Sequence, residues 1–277
     1  EDLLFKKKPI EIFSRDYSIY GGGDYFYEEI RKKLFFKYGE DQLFSEGLII
    51  KTSLDTILQY HAENSLINGL LNYDRRHGWR GPITNLNLIE ENLDGLITKI
   101  KNPFPKKWFL AKVEKVLEKK LILSNVNNLK FEIEFQNDFN KWLIKEKFKI
   151  GDVMFVERNN SDYIIRQIPD VNGAIIAIDP HSGDVLAMSG GFSFNLSQFN
   201  RSTQAKRQPG SAFKPIVYIS ALKSGYTPST LILDAPYVID QGPGLPKWKP
   251  ANYSEEFYGL TTMRTGIEKS RNLMTVR

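Results

Sequence analysis

The chain has 277 residues, 41% of them hydrophobic and 13% aromatic, which is enough apolar material for two packed units, or one carrying an insertion, and too much for a disordered chain. Its net charge is +5 and no block of five like charges occurs, so a basic nucleic-acid tail is excluded and only a mild attraction to anionic surfaces remains. There is no Cys, and the three His, at 61, 77 and 181, are too dispersed for paired metal ligation; neither a metal nor a cofactor is expected.

Residues 1–46 open with FKKKPIEIF and continue through YGGGDYFYEEIRKKLFFKYGEDQLF. Tyr25, Phe26, Ile30, Leu34 and Phe35 recur at helical spacing, with Glu28, Glu29, Arg31 and Lys32 opposite, predicting a linker with an amphipathic helix that ends near Gly39. Gly21, Gly22 and Gly23 have no strand before them and no Gly-Lys-Ser/Thr after them, so they read as a hinge and not as a phosphate cradle. Residues 47–52, GLIIKT, read as a strand. Ser53 or Asp55 can cap a following helix through about Tyr73, with Ile57, Leu58, Ala62, Leu66 and Leu70 on its inner face and His61 as a core or edge histidine.

From about Arg80 the texture changes. Five short segments, WFLAKVEKVL, KLILS, LKFEIEF, VMFVE and YIIRQI, are separated by turn clusters such as SNVNN and RNNSD. They predict a small all-β barrel of the oligonucleotide-binding (OB) kind over residues 81–169. The basic stretch Arg75-Arg76-His77-Gly78-Trp79-Arg80 before it reads as a charged boundary or a contact for the barrel. Beyond the barrel, GAIIAIDPHSGDVLAMSGG predicts a hairpin that turns at residues 179–183.

Residues 207–225, RQPGSAFKPIVYISALKSG, predict a helix from about Ser211 to Lys223 that stops at Gly225, with Ser211 and Lys214 one turn apart at its mouth. The spacing alone is met equally by an N-cap serine followed by a solvated lysine. It is also met by Ser220 and Lys223, which lie about half a turn of the helical wheel away. Ser211 has the better position, because unpaired N–H groups at a helix N-terminus favour a developing oxyanion beside its hydroxyl. For Lys214 to act as a base, burial or a neighbouring cation must lower its pKa. Ser270-Arg271-Asn272 adds a second hydroxyl and a carboxamide two residues apart that can face one cleft; Ser193-Phe194-Asn195 has the same form but lies in a Gly-rich loop.

These motifs carry a family resemblance. FNRSTQAKRQPGSAFKPIVYISAL, KWKPANYSEEFYGLTTMRTGIEKSRNLMTVR and the hairpin before them resemble the transpeptidase domain of class A penicillin-binding proteins, for which S-x-x-K, an S-D-N-type triplet and K-T-G are the signature. Residues 25–82 resemble the segment that leads into this domain in the subgroup with an inserted small barrel; the barrel itself matches loosely. The implied fold is α+β and multidomain: residues 1–46 as linker and helix, 47–80 as the first segment of a penicillin-binding/β-lactamase-like transpeptidase domain, 81–169 as an inserted OB-like barrel, and 170–277 as the rest of a truncated transpeptidase domain.

The resemblance implies Ser211 as the acylated nucleophile, Lys214 as its base, Ser270 as the proton donor to the leaving D-alanine, and Asn272 as the ligand of the substrate amide. Trp248 and Tyr253, with Asn252 and Phe257, are expected to wall the cleft. It implies peptidoglycan stem peptides ending in D-Ala-D-Ala as substrates, β-lactam antibiotics as slow acylating inhibitors, and cell-wall regulators as partners of the barrel, with no metal. It further implies a place on the periplasmic side of the bacterial inner membrane, through an N-terminal anchor helix.

Two departures bear on these expectations. No Lys-Thr/Ser-Gly follows Asn272, and the only Lys-Thr is Lys51-Thr52, on the early segment. No apolar stretch approaches membrane-spanning length and the sequence opens on Glu1-Asp2-Leu3, so the chain is expected to be a piece of a longer one, to leave sheet edges and an apolar face open, and to be poorly acylated by itself. The main alternatives are a non-catalytic scaffold and an OB-type binding module for nucleic acid or glycan. Residues 99–149 hold thirteen Lys against six Asp or Glu, but no Arg, which is the better residue for stacking and bidentate phosphate contacts, so no nucleic-acid partner is expected.

Overall fold

A computed structural model describes residues 22–45, 47–104 and 107–277; of the linker and helix expected over residues 1–46, residues 1–21 and 46 lie outside the described residues. The chain divides into a first compact unit through Ala205 and a second from Lys206 to Arg277.

The first unit starts with helix α1 (Asp24–Ser45), which breaks at Gly39, where φ is 79° and ψ 177°, as the sequence predicts. Residues 47–52 form no ladder with any described residue, contrary to the strand expected there, and Ile49 is 89% exposed. Helix α2 (Thr56–Arg75) is capped by the Asp55 carboxylate, which accepts from the N–H groups of Ile57 and Leu58 at 2.9 Å each. Its inner face is built by Gln59, Ala62, Leu70 and Leu71; Ile57 and His61, expected on that face, are exposed.

Between Arg80 and Ile168 runs a barrel whose strands are β1 (Thr84–Asn85), β2 (Trp108–Val116), β3 (Lys120–Ser124), β4 (Lys130–Glu134), β5 (Asp152–Asn159) and β6 (Asp162–Arg166), with helix α3 (Leu93–Lys99) ahead of β2. Every pairing is antiparallel, in the order β1-β5-β2-β3-β4 with β6 on β5. The outer strands β4 and β6 meet through two rings in contact, Phe131 and Tyr163, with centroids 4.2 Å apart and planes inclined by 31°. This is the five-stranded, partly open barrel order of an OB fold, with the short β1 as an additional edge. The apolar runs in β2 and β5 follow from two buried faces. Ala111, Val113, Met154 and Val156 fill the barrel with Leu121, Leu123, Ile133, Leu143 and Ile165. Trp108, Leu110, Val153 and Phe155 pack outward against Leu70, Leu71, Leu93, Leu96 and Phe192.

Asp74, buried at the end of α2, gathers the two ends of the barrel. Its carboxylate accepts from Arg80 Nη1 at 2.7 Å, from Gln167 Nε2 at 2.7 Å and from the N–H of Asp170 at 3.1 Å. The basic stretch is therefore a structural boundary: Arg80 closes the neck, and Arg75 lies over the Trp142 ring with its pKa pushed down to about 10, chiefly by burial.

The hairpin β7 (Ile175–Ile178) and β8 (Val185–Ser189) forms as expected and lies against α2. Gln59 reaches this hairpin with its side-chain amide, donating to Met188 O at 2.9 Å and accepting from Met188 N at 2.7 Å. An amide side chain thereby stands where a further strand residue would.

The second unit holds a 3-10 turn (Gly210–Phe213), helix α4 (Lys214–Lys223), the antiparallel pair β9 (Leu231–Asp234) and β10 (Gly259–Thr262), and the short helices α5 (Met263–Glu268) and α6 (Asn272–Val276). Tyr218, Met263, Leu273 and Met274 make its small core, while Ile216, Ile219, Leu231 and Leu260 are exposed. The architecture of the described residues is α+β, with one barrel and two small sheets.

Candidate active site

The expected single helix from Ser211 is two pieces. Ser211 sits in the 3-10 turn and its carbonyl accepts from the N–H of Lys214, the first residue of α4. Gly210 opens the turn at φ 55°, a conformation costly for any residue with a Cβ, and Pro209 precedes it. The Ser211 side chain is exposed, whereas Lys214 is buried at 8% relative exposure. The competing pair has neither property: Ser220 and Lys223 are both exposed, and Ser220 Oγ donates back to Ile216 O at 3.1 Å as an ordinary helical hydroxyl.

The Lys214 side chain crosses to the turn between α5 and α6. Its Nζ donates to Ser270 O at 2.5 Å, Ser270 Oγ at 3.0 Å and Asn272 Oδ1 at 2.7 Å. Among the described residues no carboxylate hydrogen-bonds this amine, and its burial lowers its pKa from the ordinary lysine value of 10.5. Three of the residues expected to act together thus meet at one nitrogen.

The spacing of Ser270 and Asn272 has a local cause. Ser270 has φ 54°; its N–H bonds Ile267 O at 3.1 Å, and the next N–H, of Arg271, bonds Gly266 O at 2.9 Å. This paired pattern ends α5 as a Schellman motif, with Ser270 at the left-handed position that Gly usually fills. Asn272 is then the first residue of α6. One residue between a helix stop and a helix start sends the Ser270 hydroxyl and the Asn272 carboxamide to the same lysine.

A buried frame stands behind the turn. Asn252, 5% exposed, accepts with Oδ1 from the N–H groups of Asn272 at 2.9 Å and Leu273 at 3.3 Å. Its Nδ2 donates to Asp234 Oδ1 at 2.8 Å and Glu256 O at 2.9 Å. Sequence reasoning placed Asn252 only as a wall of the cleft; the signal it missed is that α6 has no capping side chain of its own.

Trp248 is bridged through its backbone to Ile239 and is 44% exposed, and the Tyr253 side chain stands fully in solvent. Among the described residues neither side chain hydrogen-bonds the Lys214 cluster, and Phe257 is likewise exposed. The lookalike Ser193 belongs to the first unit, where its hydroxyl is buried on Pro103 O at 2.7 Å. The chain does contain one Lys-Ser-Gly string, Lys223-Ser224-Gly225, but it ends α4, with Gly225 at φ 91° as a helix stop.

Comparison with known proteins agrees with this architecture. Residues 173–277 match the penicillin-binding protein transpeptidase domain family. The chain is 42% identical over 263 residues to penicillin-binding protein 1A of Rickettsia conorii, covering 92% of this chain and 33% of that protein. It is 32% identical over 271 residues to penicillin-binding protein 1A of Neisseria lactamica, again over 91% of this chain and 33% of the relative. The crystal structure of penicillin-binding protein 1A from Haemophilus influenzae superimposes with a TM-score of 0.80 at 28% identity, covering 97% of this chain and 40% of that one. The chain thus spans about a third of the length of the curated relatives it matches. Residues 173–277 thus belong to the penicillin-binding protein transpeptidase domain family, and along nearly its whole length the chain is similar to the transpeptidase region of class A penicillin-binding proteins.

Proposed function

We propose that this region carries the D,D-transpeptidase reaction of peptidoglycan cross-linking through an acyl-serine intermediate on Ser211. Lys214, uncharged, takes the Ser211 proton as Oγ attacks the carbonyl carbon of the penultimate D-alanine of a stem peptide. The tetrahedral intermediate collapses with cleavage of the C–N bond, and Ser270 relays the proton from Lys214 to the departing D-alanine amine, which leaves Lys214 uncharged again. An amine from a neighbouring strand then attacks the ester, takes the acyl group and returns the proton to Ser211. Asn272 holds the substrate amide, and Trp248 and Tyr253 meet the peptide from the rim. β-Lactams acylate the same hydroxyl and leave slowly.

The observation that carries this reading is the buried Lys214 Nζ between Ser270 Oγ, 3.0 Å away, and Asn272 Oδ1, 2.7 Å away. A surface lysine would have no reason to gather them. In a binding-only reading of the barrel, its outward lysines would be free to meet phosphates. Three of them are engaged otherwise: Lys112 pairs with Glu114 at 2.9 Å, Lys120 with Glu132 at 2.7 Å and Lys141 with Asp138 at 2.7 Å. The proposed site of action is the periplasmic side of the inner membrane, with the barrel open to cell-wall regulators; no helix among the described residues is long and apolar enough to cross a membrane. Labelling of the intact gene product with a fluorescent penicillin tests the reading: Ser211→Ala abolishes the label, and a label that survives this substitution refutes it.

A further inference from the structure

We propose that Asn252 is a positioning residue for the transpeptidase site, acting through the Ser270–Asn272 turn and tying it to the buried carboxylate of Asp234. The inference rests on the acyl-serine reading above and deepens it. The Asn252 carboxamide spends its whole hydrogen-bonding capacity on this link, accepting from two N–H groups, those of Asn272 and Leu273, and donating to two oxygens, Asp234 Oδ1 and Glu256 O. It therefore serves as the helix cap that α6 lacks, delivered from twenty residues away in the chain.

Only the amide fits both sides. Toward α6 the position must accept, because the N–H groups of Asn272 and Leu273 point at it. Toward β9 it must donate, because Asp234 is wholly buried and presents oxygen. Among the described residues Asp234 Oδ2 has no hydrogen-bond partner, and Arg271 Nε, 3.9 Å away, has none either. The guanidinium is held instead over the Tyr258 ring, 3.2 Å from its centroid. Asn252 is thus the direct hydrogen-bonded link from Asp234 to the turn, and it fixes where Asn272 Oδ1 and Ser270 Oγ stand around the Lys214 amine.

The test reverses the donor and acceptor. Asn252→Asp keeps an oxygen for the α6 N–H groups but sets it against Asp234. Asn252→Asp combined with Asp234→Asn restores the bond in the opposite direction. The second-order rate of acylation by a fluorescent penicillin is measured per folded molecule across pH in the intact gene product. The titration of Lys214 is followed in the same proteins by NMR of the Cε shift of isotope-labelled lysine, assigned with Lys214→Met, a readout that needs no acylation and leaves the amine unmodified. The single exchange is expected to lower the rate by about 100-fold, as a misplacement near 1 Å does, and to move the Lys214 midpoint. The double exchange is expected to recover most of the rate and the parental midpoint. A single variant that keeps the parental midpoint and rate overturns the proposal, as does a double variant that recovers neither. If the parent itself takes no label on Ser211, the acyl-serine reading fails, while the Lys214 midpoints still decide whether Asn252 positions the turn.

Discussion

Lys214 Nζ and Asn272 Oδ1 lie 2.7 Å apart, joining the first residue of one helix to the first residue of another across fifty-eight positions of sequence. The contact holds a cation with no counter-charge among its hydrogen-bond partners, because all three acceptors are neutral oxygens. That arrangement sets the pH behaviour of the site.

Burial lowers the Lys214 pKa below 10.5. Below that lowered value the ammonium is present in both folded and unfolded states, and its burial opposes folding in full. Between the lowered value and 10.5 the unfolded chain binds a proton that the folded chain has released, so stability rises with pH through this window. Denaturant titrations at increasing pH are expected to show the parent gaining stability relative to Lys214→Met, which keeps the stem and loses the charge. A parent that loses ground over the same window contradicts the assignment. The acylation rate is expected to rise with pH and level off below the ordinary lysine value.

Ser270 occupies a left-handed backbone position at φ 54°, where a Cβ costs about 1–2 kcal/mol. Ser270→Gly is expected to be about 1 kcal/mol more stable than Ser270→Ala, since glycine takes this conformation freely. Both variants remove the hydroxyl, and both are expected to lose penicillin acylation to the same extent. Equal stabilities in thermal unfolding would show that the strain is absent; a glycine variant that keeps the parental rate would remove the hydroxyl from the mechanism.

Gln59 replaces backbone hydrogen bonds to Met188, and a leucine there leaves the Met188 N–H and C=O unpaired inside the protein. Gln59→Leu is expected to destabilise the first unit by about 2–3 kcal/mol, read as a lower denaturation midpoint with an unchanged slope. Gln59→Glu sets a buried carboxylate against Met188 O and against the Glu63 carboxylate, to which the Gln59 amide donates at 2.7 Å, and is expected to cost at least as much.

Asp74 holds both ends of the barrel insertion through Arg80 and Gln167. Asp74→Ala strands these donors and is expected to cost about 3 kcal/mol, discounted from a fully buried pair because Arg80 is 35% exposed. Hydrogen exchange at β6 and at the end of α2 is expected to quicken together. An effect confined to α2 would mean that the neck is held elsewhere.

The barrel was legible in the sequence because each strand is a short run of aromatic and aliphatic residues between turn clusters, and because the continuous apolar stretches Trp108–Ala111 in β2 and Val153–Val156 in β5 are buried on both faces. The break at Gly39 and the hairpin at residues 179–183 were legible for a similar reason: a glycine at positive φ, or an Asp with a following Gly, is a local signal. The strand expected at residues 47–52 failed because its apolar, β-branched composition says nothing about whether a partner strand lies alongside. Ile57 and His61 were placed inward because their spacing fits one helical face, but the buried face of α2 is rotated toward Gln59, a polar residue that periodicity discounts.

At the site, the resemblance pointed to Ser211, Lys214, Ser270 and Asn272, while the reason for the S-x-N spacing lies in backbone geometry that composition does not encode. Asn252 was visible only as one polar residue among aromatics. Its role depends on a helix start twenty residues later that lacks a cap of its own, a long-range relation without local signature.

The central claim is that Ser211 is acylated with Lys214 as its base. Peptide mass spectrometry of the intact gene product after incubation with benzylpenicillin tests it most directly. The account predicts one penicilloyl group on the peptide that carries Ser211, absent in Ser211→Ala and formed far more slowly in Lys214→Met. An adduct on another residue, or one formed at the parental rate without the Lys214 amine, would contradict it.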